Sequence, residues 1–259
     1  LVTAVLMAIS RSLAALVSRL DHTLVPRLGA VAGHAVTTVV VVLVVLALGN
    51  RVVIVGVVGG TQQAFGEGNT STEDGVQQPT SPLRSGSPNS LAPWDTLGRQ
   101  GRTFVAGATP TEEIAAFARP GTAVLEPIRV YAGLDSADDA EARADLAVAE
   151  LERTGAFERS VLCLVTVTGT GWINPVAAST LELMHAGDTA IVGVQYSYLP
   201  SWISVLIDGD AAADTGRALS AAVGDRGSEL PPEERPLLIV YGESLGAFGS
   251  ESAYLDQRA

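Results

Sequence analysis

Four short apolar runs, separated by segments of helical character, constrain this chain more than any other feature. Apolar runs of four to eight residues are typical of buried strands, and helical crossovers between strands are typical of parallel sheets. The pattern therefore predicts an α/β fold with a mostly parallel sheet flanked by helices. The runs cover residues 128–132, 161–167, 189–195 and 237–241.

The segments between these runs carry helix start and stop signals. Ser136 is a predicted N-cap of the first crossover helix, and Gly155 follows its last residue. Asn174 is a predicted N-cap of the second, with Pro175 at its first helical position. A third crossover helix is predicted over 211–223.

The sharpest motif is Gly242-Glu243-Ser244-Leu245-Gly246, which directly follows the fourth apolar run. The pattern G-x-S-x-G between a strand and a helix is typical of the nucleophile elbow of serine hydrolases. Both Gly242 and Gly246 fit this interpretation, because the neighbours of a serine in a strained turn have to be small. Ser244 is therefore the predicted nucleophile. The alternative is a glycine-rich turn with a structural serine.

An oxyanion hole needs one backbone N–H from the residue after the nucleophile and another from the loop that follows an earlier strand. Leu245 would supply the first. The loop 168–172, Thr-Gly-Thr-Gly-Trp, would supply the second through Thr170 or Gly171. A phosphate-binding loop is the competing interpretation, but neither G-x-x-x-x-G-K nor G-x-G-x-x-G is present. An ordinary connecting loop is the other alternative.

The apolar and aromatic run 196–207 follows the third predicted strand. Ligands of open α/β sheets bind outside the carboxyl ends of the strands, so this run is expected near the substrate pocket. It could line an acyl site or contact lipid. Packing in the core or at a sheet edge is the alternative.

The general base of a serine hydrolase is missing after the predicted nucleophile. In α/β-hydrolases an acid and then a histidine follow the serine along the chain. All three histidines, His22, His34 and His185, precede Ser244, and Asp256 is interpreted as a surface carboxylate. Either the chain is cut before its base or it is not a hydrolase. A first residue other than methionine favours a cut chain that is inactive alone, with acid and histidine after residue 259.

Residues 28–49 contain no Arg, Asp or Glu. At 1.5 Å per residue a helix of this length spans roughly 33 Å, enough for a bilayer core of about 30 Å. We therefore predict a transmembrane helix over 28–50. Arginines 11, 19 and 27 precede it and Arg51 alone follows closely, so the rest of the chain is expected outside the cytoplasm at the cell membrane.

This prediction divides the chain into four parts. Residues 1–27 would be the end of a membrane domain with an amphipathic connector, and 28–50 the span. Residues 51–93 would be a juxtamembrane segment and a Pro/Gly/Ser-rich extended linker. Residues 94–259 would be the first part of a catalytic domain.

Composition excludes some partners. The chain has 28 acidic and 16 basic residues and a net charge of -12, so it lacks the basic face that nucleic-acid binding requires. Cys163 is the one cysteine, which excludes an internal disulfide and a thiolate metal cluster. We expect no metal and no cofactor.

Five longer stretches are similar to one protein family in amino-acid sequence and in their order along the chain. The stretches cover 79–105, 125–138, 147–175, 187–202 and 241–251, the last reading YGESLGAFGSE. They resemble a bacterial membrane-associated α/β-hydrolase family, common in actinobacteria, with an N-terminal multi-span membrane domain. The resemblance implies an α/β-hydrolase fold, a serine nucleophile at Ser244, and an acid and histidine in a portion that follows residue 259. It does not imply a substrate.

The leading hypothesis is a membrane-anchored serine hydrolase of the esterase or lipase type, which acts on a small-molecule or lipid ester through an acyl-serine. One alternative is an acyltransferase, which product analysis with and without an acceptor would distinguish. Another is a non-catalytic membrane-tethered binding or scaffold module. The absence of an acid and a histidine from the sequence after residue 259 would favour that module.

Overall fold

The computed structural model describes residues 2–43 and 65–255. The chain divides into two compact units, Leu1–Gly60 and Thr61–Ala259.

The first unit is helical at every described residue except Gly29. Helix α1 covers Val2–Leu28, and residues 30–43 are helical again. Gly29 separates them with a φ of +81°, a left-handed conformation that glycine adopts without steric cost. The two helical segments touch, because a Cβ on Gly33 would lie 2.8 Å from the Val25 Cα.

The predicted transmembrane helix over 28–50 is not confirmed. Leu28 is the last residue of α1 and Gly29 breaks the helix, so a continuous helix starting at residue 28 is wrong. Within 2–43 and 65–255 no helix is both long and apolar enough to cross a bilayer. Residues 44–50 of the predicted span, and 51–64 of the predicted juxtamembrane segment, lie outside the described residues.

The second unit contains a four-stranded sheet, and all of its strand pairs are parallel, as predicted. The spatial order is β1-β3-β2-β4. Strands β1 to β3 are buried throughout, as expected for strands covered on both faces, whereas β4 is partly exposed, with Leu237 61% exposed. Both β1 and β4 lie at edges of the sheet, but β1 is bridged by Arg84. The strands are Ile128–Ala132 (β1), Val161–Thr166 (β2), Thr189–Val194 (β3) and Leu237–Gly242 (β4).

Helices connect and cover these strands. Helix α4 connects β1 to β2, α5 connects β2 to β3, and α6 with α7 connects β3 to β4. The helices are Gly98–Ala106 (α2), Thr111–Phe117 (α3), Ala140–Thr154 (α4), Pro175–Met184 (α5), Ser201–Ile207 (α6), Ala211–Ser228 (α7) and Leu245–Leu255 (α8). Short 3₁₀ turns cover Trp94–Thr96, Leu134–Ser136, Ala156–Glu158 and Pro232–Glu234.

The helix boundaries predicted at Asn174, Pro175 and Gly155 are confirmed, and the one predicted at Ser136 is wrong. Asn174 caps α5 by accepting the Val176 N–H at 3.0 Å, and Gly155 ends α4 with a φ of +71°. Ser136 does not cap α4. It lies in a 3₁₀ turn where its hydroxyl accepts the Gly133 N–H, so the cap falls to Asp139.

The segment predicted as an extended linker packs on the sheet in its second half. Ser85 is fully buried, and its N–H donates to the Arg129 carbonyl of β1 at 3.0 Å. The hydroxyls of Ser85 and Ser90 both donate to Glu150 of α4 at 2.9 Å. A scarcity of apolar residues predicts a tether, but in this segment hydroxyl groups form the contacts with the rest of the fold. This part of the segment is therefore no free tether.

The sheet separates two apolar layers. On one face Leu162 and Val192 pack on α4 and α7 through Leu151 and Leu219. On the other face the layer includes Tyr131, Val165 and Ile191 from the strands, with Phe104 and Val105 from α2. Because all strands run parallel, their carboxyl ends share one edge of the sheet, called the carboxyl edge below.

Candidate active site

Ser244 lies at the carboxyl edge in the tight turn that joins β4, ending at Gly242, to α8, beginning at Leu245. Its φ is +54°, a left-handed conformation that costs a non-glycine residue about 1–2 kcal/mol. Its side chain is exposed. The strand, strained serine and helix that the motif predicts are all present.

The two glycines of the motif are required by close backbone contacts. A Cβ on Gly242 would lie 2.3 Å from the Gly246 carbonyl oxygen. A Cβ on Gly246 would lie 2.2 Å from the Thr166 carbonyl oxygen at the end of β2. Neither position has room for a side chain, so the turn can press against β2 with Ser244 pointing outward.

The N–H of Leu245 is available at this turn. The next two N–H groups are used, since Gly246 donates to the Glu243 carbonyl at 2.9 Å and Ala247 to the Ser244 carbonyl at 3.1 Å. Leu245 is the first residue of α8, where an N–H has no partner inside the helix. It meets no acceptor in the described parts of the chain.

The loop 168–172 follows β2, the neighbour of β4. The prediction of Gly171 as an oxyanion donor is wrong. Its N–H already donates to the Thr168 carbonyl at 2.8 Å, and its carbonyl accepts the Tyr131 hydroxyl at 2.7 Å. Burial raises the pKa of Tyr131, which keeps this phenol protonated as a donor. The N–H of Thr170 has no acceptor among the described residues, so Thr170 is the predicted donor that the loop still offers.

Glu243 ties the turn to the start of α5. Its carboxylate accepts the Tyr241 hydroxyl and, at 2.8 Å, the side-chain amide of Asn174. Burial, together with the hydrogen bond and charge of Glu243, raises the pKa of Tyr241 to about 12. The contact of Glu243 with Asn174 could not be predicted from a local pattern, because the two residues lie 69 positions apart.

The run 196–207 lies beside the site, as predicted. Leu199 and Ile203 are buried, whereas Trp202 is 64% exposed. Ser201 Oγ lies 3.3 Å from Ser244 Oγ. Ser201 is a second contact of this turn that the sequence did not predict, since no local pattern distinguishes it from the other serines of the run.

No histidine of the second unit reaches Ser244. His185 follows α5 and precedes β3, which places it at the amino end of the strands, the edge opposite Ser244. His22 and His34 belong to the first unit, where His34 Nδ1 lies 3.1 Å from the Asp21 carboxylate. Asp256 lies outside the described residues.

Cys163 is not an alternative nucleophile. It lies in the middle of β2, and burial raises the pKa of its thiol to about 12, so the reactive thiolate is suppressed. This agrees with its interpretation as a core residue.

A cavity of about 330 Å³ opens beside Thr170. Phe65 and Tyr198 form aromatic walls, and Arg99 and Gln100 supply polar groups. Its walls therefore combine apolar surface with hydrogen-bond donors next to the loop 168–172.

Two matches to known families cover the chain. Residues 128–259, just over half of the sequence, match a family described as the alpha/beta-hydrolase family, and residues 1–109 match the alpha/beta-hydrolase family N-terminus. No curated protein and no solved structure matches the chain. The first match includes all four strands, the loop 168–172 and the turn that holds Ser244. The chain therefore belongs to the alpha/beta-hydrolase family.

Proposed function

We propose that Ser244 is the nucleophile of a serine hydrolase that cleaves an ester through an acyl-serine intermediate. The observation that carries this proposal is the left-handed φ of Ser244 between two glycines that admit no side chain. A strained, exposed serine at the carboxyl end of a parallel strand is costly for the fold and useful for nucleophilic attack.

In this mechanism Ser244 Oγ attacks the ester carbonyl carbon while a base takes the hydroxyl proton. The carbonyl electron pair moves to oxygen, and the N–H groups of Leu245 and Thr170 donate to the resulting oxyanion. Collapse of this intermediate breaks the bond to the alcohol, which receives the proton from the base. Water then hydrolyses the acyl-serine by the same sequence of steps. No step requires a metal or cofactor.

The base is part of the proposal. Since His185 lies at the opposite edge of the sheet, we place the histidine and its acid partner in sequence that follows residue 259. The 259 residues alone are then expected to bind esters and to turn them over poorly.

The cavity beside Thr170 supports an ester of limited size as the substrate. Its volume of about 330 Å³ is at the lower end of ligand pockets, and its aromatic walls suit an acyl chain or an apolar alcohol. A small-molecule ester or the ester end of a lipid would both fit this description.

We also propose that the chain is anchored to the cell membrane near residues 28–50, with the hydrolase portion outside the cytoplasm. Support comes from the uncharged sequence 28–49 and from exposed apolar side chains on the helical segment 30–43, where Val31 is 88% exposed and Leu43 60%. We expect the whole protein to stay in the membrane pellet after alkaline carbonate extraction. Release into the supernatant would contradict the anchor.

The enzymatic proposal is tested by the release of p-nitrophenol from a series of p-nitrophenyl esters by the whole protein. Wild type is expected to show an initial burst of one equivalent and then steady turnover, and Ser244→Ala neither. Ser228→Ala is the matched control, because Ser228 is exposed at the end of α7 and far from the carboxyl edge. Equal turnover in Ser244→Ala and wild type would contradict the assignment. No turnover in wild type would favour a binding module.

A further inference from the structure

Ser201 reaches Ser244 by crossing over the loop 168–172. Strand β2 lies between β3 and β4, so a residue that follows β3 meets the turn after β4 only by passing the loop after β2. The crossing occurs at Gly169. A Cβ on Gly169 would lie 2.6 Å from the Leu199 carbonyl oxygen and 2.7 Å from the Ser201 nitrogen.

This route fixes the side from which Ser201 approaches the nucleophile. Its hydroxyl approaches over the loop 168–172, where the Thr170 N–H has no acceptor among the described residues, and it lies 3.3 Å from Ser244 Oγ. A carbonyl carbon bonded to Ser244 Oγ, with its oxygen directed toward that loop, would bring the oxygen close to the Ser201 hydroxyl.

The Ser201 hydroxyl does not hold the local structure together. The turn is closed by backbone bonds from Ile203 and Ser204 to the Pro200 carbonyl at 2.9 and 3.0 Å, and by the Leu199 N–H to the Ser197 hydroxyl at 3.0 Å. Within the described part of the chain Ser244 is the one hydrogen-bond partner of Ser201 Oγ. The hydroxyl is therefore available for the reaction.

We propose that the Ser201 hydroxyl is a third hydrogen-bond donor to the oxyanion. This inference rests on the proposed function of Ser244. At rest Ser201 accepts the hydroxyl hydrogen of Ser244. When Ser244 loses its proton to the base and attacks, the Ser201 hydroxyl rotates and donates to the carbonyl oxygen as its charge develops. No bond to Ser201 forms or breaks, so it stabilises charge and transfers no proton.

The test compares Ser201→Ala and Ser201→Thr with wild type on one p-nitrophenyl ester. Loss of a single oxyanion donor lowers kcat by about 10²-fold or more in a known case, and we expect about 10²-fold in Ser201→Ala with KM within twofold. The pH at half-maximal kcat and the melting temperature should stay unchanged. Ser201→Thr keeps the hydroxyl and should recover most of the rate.

A second variant protects the test against a folding defect. Ser201→Cys has nearly the size of serine but a weak donor, and it should lose about as much kcat as Ser201→Ala. A kcat within twofold of wild type in both variants would overturn the inference. A shift of the pH midpoint in Ser201→Ala would also overturn it, because Ser201 would then act on the proton of Ser244. If wild type shows no turnover at all, the proposed function itself fails.

Discussion

Two polar regions of the second unit differ in whether their hydrogen-bonding groups have partners. In the buried cluster around Glu182, Arg129 Nε donates to Oε1 at 2.7 Å and Nη2 to Oε2 at 3.0 Å, while Nη1 donates to the Phe104 carbonyl at 2.7 Å. At the carboxyl edge, Ser244 is strained and exposed, and the N–H groups of Leu245 and Thr170 have no partner in the described sequence.

The paired groups stabilise the fold, and the unpaired groups are available for a reaction. Paired buried groups fix β1, α5 and the segment before α3 in place, but they leave no donor for a ligand. Unpaired and strained groups weaken the fold locally and are available to a reacting molecule. Substitutions in the cluster should therefore reduce stability, whereas substitutions at the turn of Ser244 should change activity most.

The largest effect is expected from Glu182→Gln. Arg129 is 1% exposed and Glu182 fully buried, so neutralising the acid leaves a buried guanidinium without its counter-charge. We expect a loss of about 3–5 kcal/mol in the free energy of unfolding, measured with urea. Glu126→Gln is the matched control, because its partner Arg84 and Glu126 are both partly exposed and should contribute less than about 1 kcal/mol. Equal losses in the two variants would contradict the comparison.

The second-largest effect on the free energy of unfolding is expected at Glu150 and depends on pH. Burial tends to raise the pKa of this carboxyl, but hydrogen bonds from Arg153, the Leu91 N–H and the hydroxyls of Ser85 and Ser90 outweigh burial and lower it. A carboxyl with a lowered folded pKa stabilises the fold above its ordinary pKa, and this contribution is lost as the pH falls through the lowered value. Glu150→Gln should cost about 2–3 kcal/mol at pH 7.

The difference between Glu150→Gln and wild type should shrink as the pH falls toward 3. Urea unfolding at pH 7, 5 and 3 measures it. A difference that stays constant over this range would show that the charge of Glu150 does not contribute.

The third effect compares a glycine that has no room for a side chain with a glycine that has open space around it. Gly246→Ala places a methyl group 2.2 Å from the Thr166 carbonyl, and we expect a loss of about 1–3 kcal/mol together with loss of turnover. Gly224→Ala in α7 meets nothing within 4 Å and should stabilise the protein by about 0.5–1 kcal/mol, because alanine favours the helix. Thermal unfolding compares the two. A Gly246→Ala protein as stable as wild type would mean that the elbow contact is not tight.

The smallest effect on stability is expected at the nucleophile. Ser244→Gly places a residue without a side chain at this left-handed φ and so removes the strain. The free energy of unfolding should therefore rise by about 0.5–1 kcal/mol, in spite of the larger chain entropy of glycine. Turnover should disappear in the same variant. Ser220→Gly inside α7 should lose stability instead, which makes it the control. A loss of stability in Ser244→Gly would contradict strain at this turn.

Local patterns allowed the strands and the elbow to be predicted. An apolar run of five to seven residues and a G-x-S-x-G turn depend on neighbouring residues, and both are present in the structure. The contact of Ser201 with Ser244 depends on the spatial order β3-β2-β4, which no local pattern contains. Glu150 as the anchor of the supposed linker could not be predicted either, because its contact with Ser85 joins residues 65 positions apart.

The most direct test of the central role of Ser244 is labelling of the whole protein with a fluorophosphonate, followed by mass spectrometry of its peptides. We expect one equivalent of probe on the peptide that contains Ser244, and none on any peptide of Ser244→Ala. Labelling of a different serine, or equal labelling of Ser244→Ala, would contradict the assignment of Ser244 as the nucleophile.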